Sequence, residues 1–148
     1  MKTRLYTILF LCFTFALSFS FAKKKPFTYE DVMHFNDLHG AIISNDGNWS
    51  AYYLEPDRGN PKGVVVSTSK DTTTNELTKF FVERGKSPKF TNNSKWSVFT
   101  VVPDAIEAAN AEKNKPKNAL AIMSLPSGEI TEIEEVKNYK LSEDGNWI

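Results

Sequence analysis

One short pattern is written three times along this chain, and it constrains the fold more than any other feature. AIISNDGNWSAYY begins at Ala41, PKFTNNSKWSVFT at Pro88 and YKLSEDGNWI at Tyr139, and the three windows align without a gap. Their tryptophans, Trp49, Trp96 and Trp147, are 47 and 51 residues apart. A repeat of that length marks an architecture of stacked supersecondary units, each too small to bury its own apolar face. The column order is apolar, Ser/Thr, polar, Asp/Asn, Gly/Ser, polar, Trp.

Each column has a physical meaning. Ile43, Phe90 and Leu141 end a short strand. Asp46-Gly47 and Asp144-Gly145 make a tight turn that accepts positive φ, the strongest short hairpin signal. Asn93-Ser94 is a weaker version, because serine tolerates that region less well. Ser44, Thr91 and Ser142 can bond the turn backbone through their hydroxyls. The tryptophan then opens the next strand and carries a large face to bury.

Between the motifs the pattern is strand. WSAYYL (Trp49–Leu54), GVVVST (Gly63–Thr68) and LTKFFVE (Leu77–Glu83) are β-branched or aromatic and bounded by turn residues. After the short strand Ser87–Phe90, the order repeats with Trp96–Val102, Ala119–Met123 and Ile130–Ile133, then Tyr139–Leu141. Four short strands per unit of this length is the arithmetic of a β-propeller blade. The expected fold class is therefore all-β: a partial propeller of two four-stranded blades and the start of a third. Blade 1 spans 41–85, blade 2 spans 86–136, and the opening strand of blade 3 spans 137–148. Closed rings have four or more blades, so further blades are expected downstream.

Two stretches depart from strand. TYEDVMHFNDL, Thr28–Leu38, spaces Val32, Phe35 and Leu38 as a short amphipathic helix, within a lead segment 23–40. DAIEAANAEKNK, Asp104–Lys115, follows Pro103 and predicts a helical or disordered excursion capped by Asp104 and Glu107.

Residues 1–22 have the layout of a secretory signal peptide. Lys2 and Arg4 precede an apolar run from Leu5 to Phe19, and Ser20-Phe21-Ala22 offers a small-residue cleavage site. The run is shorter than a bilayer span, although Lys23–Lys25 beyond the cut keeps an uncleaved anchor as the alternative. Cleavage removes Cys12, the sole cysteine, so neither disulfides nor thiolate chemistry are expected in the mature domain. It also removes Lys2 and Arg4, leaving 16 basic residues against 18 acidic. That balance offers no pull toward nucleic acid or, after cleavage, a membrane surface.

The signal peptide, KKPFTYEDVMHFNDLHGAIISNDGNW, SPKFTNNSKWSVFTVVPD and NALAIMSLPSGEITEIEEVKNYKLSEDGNW together resemble the amino-terminal propeller of exported prolyl-oligopeptidase-type serine peptidases of Bacteroidetes-like bacteria. The resemblance covers essentially all of the mature chain. It implies a propeller that gates peptide substrates to a carboxy-terminal α/β-hydrolase domain carrying a Ser-Asp-His triad. No Gly-x-Ser-x-Gly elbow occurs in this sequence, so no residue matches the nucleophile, acid or base. The chain alone is expected to be inactive. Two other readings are an exported, non-enzymatic propeller for binding or envelope assembly, and the propeller of another hydrolase such as an Asp-box glycosidase.

Other candidates have plainer accounts. His34 and His39 are five apart and lack the companions a metal site requires. Asp46 and Asp144 look like an acid pair but occupy equivalent turn positions. Glu132, Glu134 and Glu135 fit an exposed outer strand and its turn. The sequons at Asn48 and Asn92 fall inside the motif and follow from its turn. No cofactor or metal ligand set is expected. The site residues are therefore those of the repeat: Ser44, Asp46, Gly47 and Trp49; Thr91, Asn93 and Trp96; Ser142, Asp144, Gly145 and Trp147.

Overall fold

A computed structural model describes residues 26–33, 35–113 and 115–148. Helix α1 (Tyr29–Met33) leads into β1 (Asn36–Ile43), β2 (Trp49–Pro56), β3 (Lys62–Lys70) and β4 (Leu77–Glu83). Then follow β5 (Gly85–Phe90), β6 (Trp96–Val101), helix α2 (Ala105–Asn110), β7 (Ala119–Ser124) and β8 (Ile130–Ile133). The strands form two separate four-stranded sheets, ordered β1-β2-β3-β4 and β5-β6-β7-β8. Every neighbouring pair is antiparallel. Each sheet is a meander built from one uninterrupted stretch of chain, so this is an all-β partial propeller of two open blades.

The repeat holds at the level of register. In blade 1, Trp49 stands opposite Ser67 and Ile43 opposite Ser50. In blade 2, Trp96 stands opposite Ser124 and Phe90 opposite Ser97. Strand alternation then assigns each side chain a face. Trp49, Ala51, Val65 and Val82 of blade 1 pack against Phe99, Val101, Ala121 and Met123 of blade 2, forming the core. That core lies between the two sheets, not inside either.

Two close fits lock the blades together. A Cβ on Gly63 would sit 2.6 Å from the Phe99 ring, so this position on β3 is a notch that receives the ring. A Cβ on Gly128 would sit 2.2 Å from the ring of Phe80, which fits the reciprocal notch in the β7–β8 turn. Phe80 also stacks on Trp49, with centroids 5.9 Å apart.

The structure corrects two expectations. The helix expected over Thr28–Leu38 ends at Met33, and Asn36–Leu38 begins β1 instead. Its backbone pairs with β2, Asn36 opposite Pro56 and Leu38 opposite Leu54, and a sheet ladder outweighs a weak three-residue periodicity. Val32, Phe35 and Leu38 are all exposed, so that periodicity marks no buried stripe. Thr28 and Asp31 close the short helix reciprocally: the Thr28 amide donates to Asp31 Oδ2 at 3.0 Å and the Asp31 amide to Thr28 Oγ1 at 3.2 Å. The other correction is at Tyr139–Leu141, which forms no strand. Backbone bonding across the third turn is confined to Ser142 N–H to Trp147 O at 3.0 Å and Gly145 N–H to Ser142 O at 3.1 Å. Residues 104–115 contain α2 as a short helix, capped by Asp104, whose carboxylate accepts from the amides of Ile106 and Glu107.

Candidate functional site

The repeat residues converge on a row of three turns. Within each turn the wiring is the same. The backbone of Ser44 donates to Trp49 O at 2.9 Å, and Gly47 donates to Ser44 O at 2.9 Å. The Trp49 amide donates to Ser44 Oγ at 3.0 Å, and that hydroxyl donates to Asp46 Oδ1 at 2.6 Å. The second turn substitutes freely and keeps the pattern. The Trp96 amide donates to Thr91 Oγ1 at 3.2 Å, and Thr91 Oγ1 donates to Asn93 Oδ1 at 2.7 Å. In the third, the Trp147 amide donates to Ser142 Oγ at 3.0 Å, which donates to Asp144 Oδ1 at 2.6 Å. The Ser44 hydroxyl and the Asn48 amide hold the Asp46 carboxyl below its ordinary value. The Ser142 hydroxyl and the Asn146 amide do the same for Asp144. Hydrogen bonds to the charged form favour it.

Gly47 and Gly145 both have φ +72° and Ser94, in the same column, has φ 57°. Serine is an uncommon occupant of that region, and the structure supplies the compensation. Ser94 is buried, and its Oγ accepts from the Asp46 amide of the preceding turn at 3.2 Å. At the next junction the turns come closer. A Cβ on Gly145 would lie 2.7 Å from the Asn93 amide nitrogen, so no side chain fits there.

The turns are also joined by a ladder that spacing alone does not reveal. Asn45 Nδ2 donates to Asn92 O at 3.1 Å, and Asn92 Nδ2 donates to Glu143 O at 2.8 Å. Asn93 Nδ2 adds a bond to Gly145 O at 2.7 Å. Asn45 and Asn92 share one column, the polar residue after Ser/Thr, and that recurrence was the available signal. At the opposite ends of the strands, Asn60 Nδ2 donates to Asp104 Oδ2 at 2.7 Å, and the Ala105 amide donates to Asn60 Oδ1 at 2.8 Å. The loop of one blade thus caps the helix of the other. Asn60 has no repeat partner that would have singled it out.

The tryptophans occupy matching columns but unequal surroundings. Trp49 is 8% exposed, Trp96 37% and Trp147 75%. Trp49 is enclosed by the next blade, whereas Trp147 has little around it.

The remaining candidates do not gather into a catalytic constellation. His39 is exposed and stacks on Tyr53, with centroids 5.4 Å apart; His34 lies outside the described residues. Among the described residues no group of three His, Cys, Asp or Glu side chains is placed to hold a metal. Glu132, Glu134 and Glu135 line a shallow opening of about 310 Å³ at the end of blade 2, with Glu107, Arg84 and Lys117. Lys117 hydrogen-bonds Glu135 at 2.7 Å and depresses its pKa. Glu132, Glu134 and Glu135 are exposed there, and Glu135 is paired with Lys117. The signal segment 1–22 and Lys23–Lys25 lie outside the described residues. No helix among the described residues is long and apolar enough to cross a membrane.

No family model matches this chain, and no curated protein does. Among solved structures, the chain is similar to the β-propeller domain of the Trilobed protease from Pyrococcus furiosus, described as having an open velcro topology. Identity is 20% and the TM-score 0.46, over 75% of this chain and 33% of that one, so the present chain spans about a third of that structure's length.

Proposed function

We propose that this chain is the propeller portion of an exported serine peptidase of the prolyl-oligopeptidase type. In the longer polypeptide the ring of blades covers a carboxy-terminal α/β-hydrolase domain and admits peptides while excluding folded proteins. Residues 1–22 direct export and are removed. The observation that carries the reading is the junction between the blades. A ladder from turn to turn, with a core between sheets, makes a rigid wall rather than a catalytic surface, as a gate requires. The resemblance of the motif windows and lead segment to that peptidase family supplies the chemistry being gated. This chain contributes no nucleophile, because the sequence holds no elbow motif that could present one.

The test is expression of the continuing reading frame beside residues 26–148 alone. The longer protein should hydrolyse a fluorogenic proline-containing peptide, spare a folded protein substrate, and take up a fluorophosphonate serine label; residues 26–148 should do none of these. A continuation without a hydrolase domain, or hydrolysis by the short chain, overturns the reading.

A further inference from the structure

The repeat allows the junction between the blades to be compared, position by position, with the place where residues 136–148 return to blade 2, and the two differ in charge. Lys86 stands ten residues before Trp96 and Lys137 ten before Trp147, so the two lysines share a column. At the first junction Lys86 finds its partners on the neighbouring blade. Its Nζ lies 2.6 Å from Glu55 Oε1 and 5.4 Å from the centre of the Tyr53 ring. Glu55 and Tyr53 are six and four residues after Trp49, and the same positions after Trp96 are Val102 and Thr100. The column that gives Lys86 its carboxylate thus offers Lys137 a valine. A third column adds a cation: Ile42, seven residues before Trp49, corresponds to Lys89 before Trp96.

A cleft of about 260 Å³ opens at this second place, between blade 2 and residues 136–139. The Val136 amide donates to Asn118 O at 2.9 Å and fixes the returning chain along one side. Lys89 Nζ sits 4.9 Å from the centre of the Tyr139 ring, and Lys137 lines the same cleft. Thr100, Asn118 and Tyr139 add polar atoms, and among the described residues no acidic side chain lines it. Neither lysine is in an ion pair among the described residues. Glu135, the carboxylate nearest to Lys137 in sequence, is held by Lys117 at 2.7 Å. Lys89, Lys137 and Asn118 are exposed. The first junction shows that such a position stays open beside a complete blade, since the side chains of Lys86 and Glu55 keep 27% and 39% exposure there.

We propose that this cleft binds a carboxylate presented by a peptide ligand, in the place that Glu55 fills for Lys86. Lys89 and Lys137 supply the charge, and Thr100 and Asn118 supply neutral hydrogen bonds. Bonds from an ammonium to a carboxylate are roughly twice as strong as neutral ones, so the cleft distinguishes an acid from its amide. Its volume admits the carboxylate and a few adjoining atoms, and the rest of the ligand extends into solvent. The inference does not depend on the peptidase reading, since it defines the ligand by its acid group and requires no bond to be cleaved.

The experiment uses the full polypeptide expressed from its natural reading frame. Reductive methylation with isotope-labelled formaldehyde keeps every lysine charged and gives each an NMR signal, assigned with Lys89→Arg and Lys137→Arg. Three acetylated peptides are titrated: trialanine with a free carboxylate, its carboxamide, and Ala-Glu-Ala carboxamide. The signals of Lys89 and Lys137 should shift saturably with an acid-bearing peptide and not with trialanine carboxamide. Saturation by the free-acid trialanine assigns a terminal carboxylate, and saturation by the glutamate peptide alone assigns a side-chain carboxylate. No saturation with either, equal shifts with trialanine carboxamide, or tighter binding of inorganic phosphate overturns the proposal. Val102→Glu restores the internal partner and should weaken binding about tenfold, the worth of one charged hydrogen bond, whereas Val102→Gln, equal in size and uncharged, should not. Equal affinities of these two variants also overturn it. Binding by a protein that hydrolyses no peptide would support the proposal and count against the peptidase reading alone.

Discussion

At the scale of single residues, the motif works through the side-chain oxygen that follows Ser or Thr by two positions. Asp46, Asn93 and Asp144 all present that oxygen to the hydroxyl before them. Blade 2 demonstrates that charge is not needed for the geometry. Asp46→Asn should therefore leave the melting temperature at pH 7 nearly unchanged, whereas Asp46→Ala should lower it. The two also differ in acid. The folded pKa of Asp46 is depressed below 3.8, so its contribution is complete above that value and fades as pH falls through the folded value. A melting series from pH 5 to about pH 2 should show a shallower acid loss for Asp46→Asn than for the parent. Ser97 is a different case. It is buried between the blades and, among the described residues, its Oγ has no hydrogen-bond partner. Ser97→Ala should stabilise the protein by about 1 kcal/mol in denaturant titration, because an unsatisfied buried hydroxyl costs that much or more. At the turn glycines, Gly47→Ala meets only the φ penalty of about 1 kcal/mol, as no atom of the described residues lies within 4 Å of its Cβ. Gly145→Ala meets that penalty and the Asn93 backbone, so it should cost more and raise hydrogen exchange at the Trp147 amide.

At the scale of elements, strands and turns were legible in the sequence because each carries a local cause. Gly63–Thr68, with β-branched Val64, Val65, Val66 and Thr68, lies within β3; Leu77–Glu83 coincides with β4. The lead segment was less legible. Val32, Phe35 and Leu38 are spaced as a helix would space them, yet the chain extends from Asn36 because β2 offers a ladder. Local period could not register a partner lying some 16 residues ahead. Tyr139–Leu141 fails in the opposite sense: the local pattern suits a strand, but a strand also needs a bonded neighbour. The notches were invisible for the same reason. Gly63 reads as an ordinary strand start, and only the approach of Phe99 gives it a task. Gly63→Val should destabilise by about 1–3 kcal/mol in chemical denaturation, since overpacking a tight contact costs that much. Phe99→Leu in the Gly63→Val background should recover part of the loss, which identifies the contact as the cause.

At the scale of the whole molecule, stability resides between blades. The core joins one sheet to the next, so neither blade can be removed without stranding the other's apolar face. The exposures of Trp49, Trp96 and Trp147, at 8%, 37% and 75%, follow how much structure stands over each. Residues 26–148 in isolation should accordingly melt broadly or self-associate, seen by calorimetry and light scattering. A sharp two-state transition from a monomer would contradict that expectation. Denaturation should shift the Trp49 emission most, read in variants that keep a single tryptophan and replace the others with phenylalanine.

The sequence alone determined the unit of this protein: a turn, a tryptophan and four strands, with the motif recurring after 47 and then 51 residues. These follow from backbone preferences and alternation, which act over a few neighbouring residues. Only the tertiary structure decided how one unit meets the next. The Asn45 and Asn92 ladder, the Ser94 hydroxyl beneath Asp46 and the glycine notch under Phe99 each join residues more than 30 positions apart. Such contacts depend on the rotation between sheets, a quantity that no local pattern in the chain encodes.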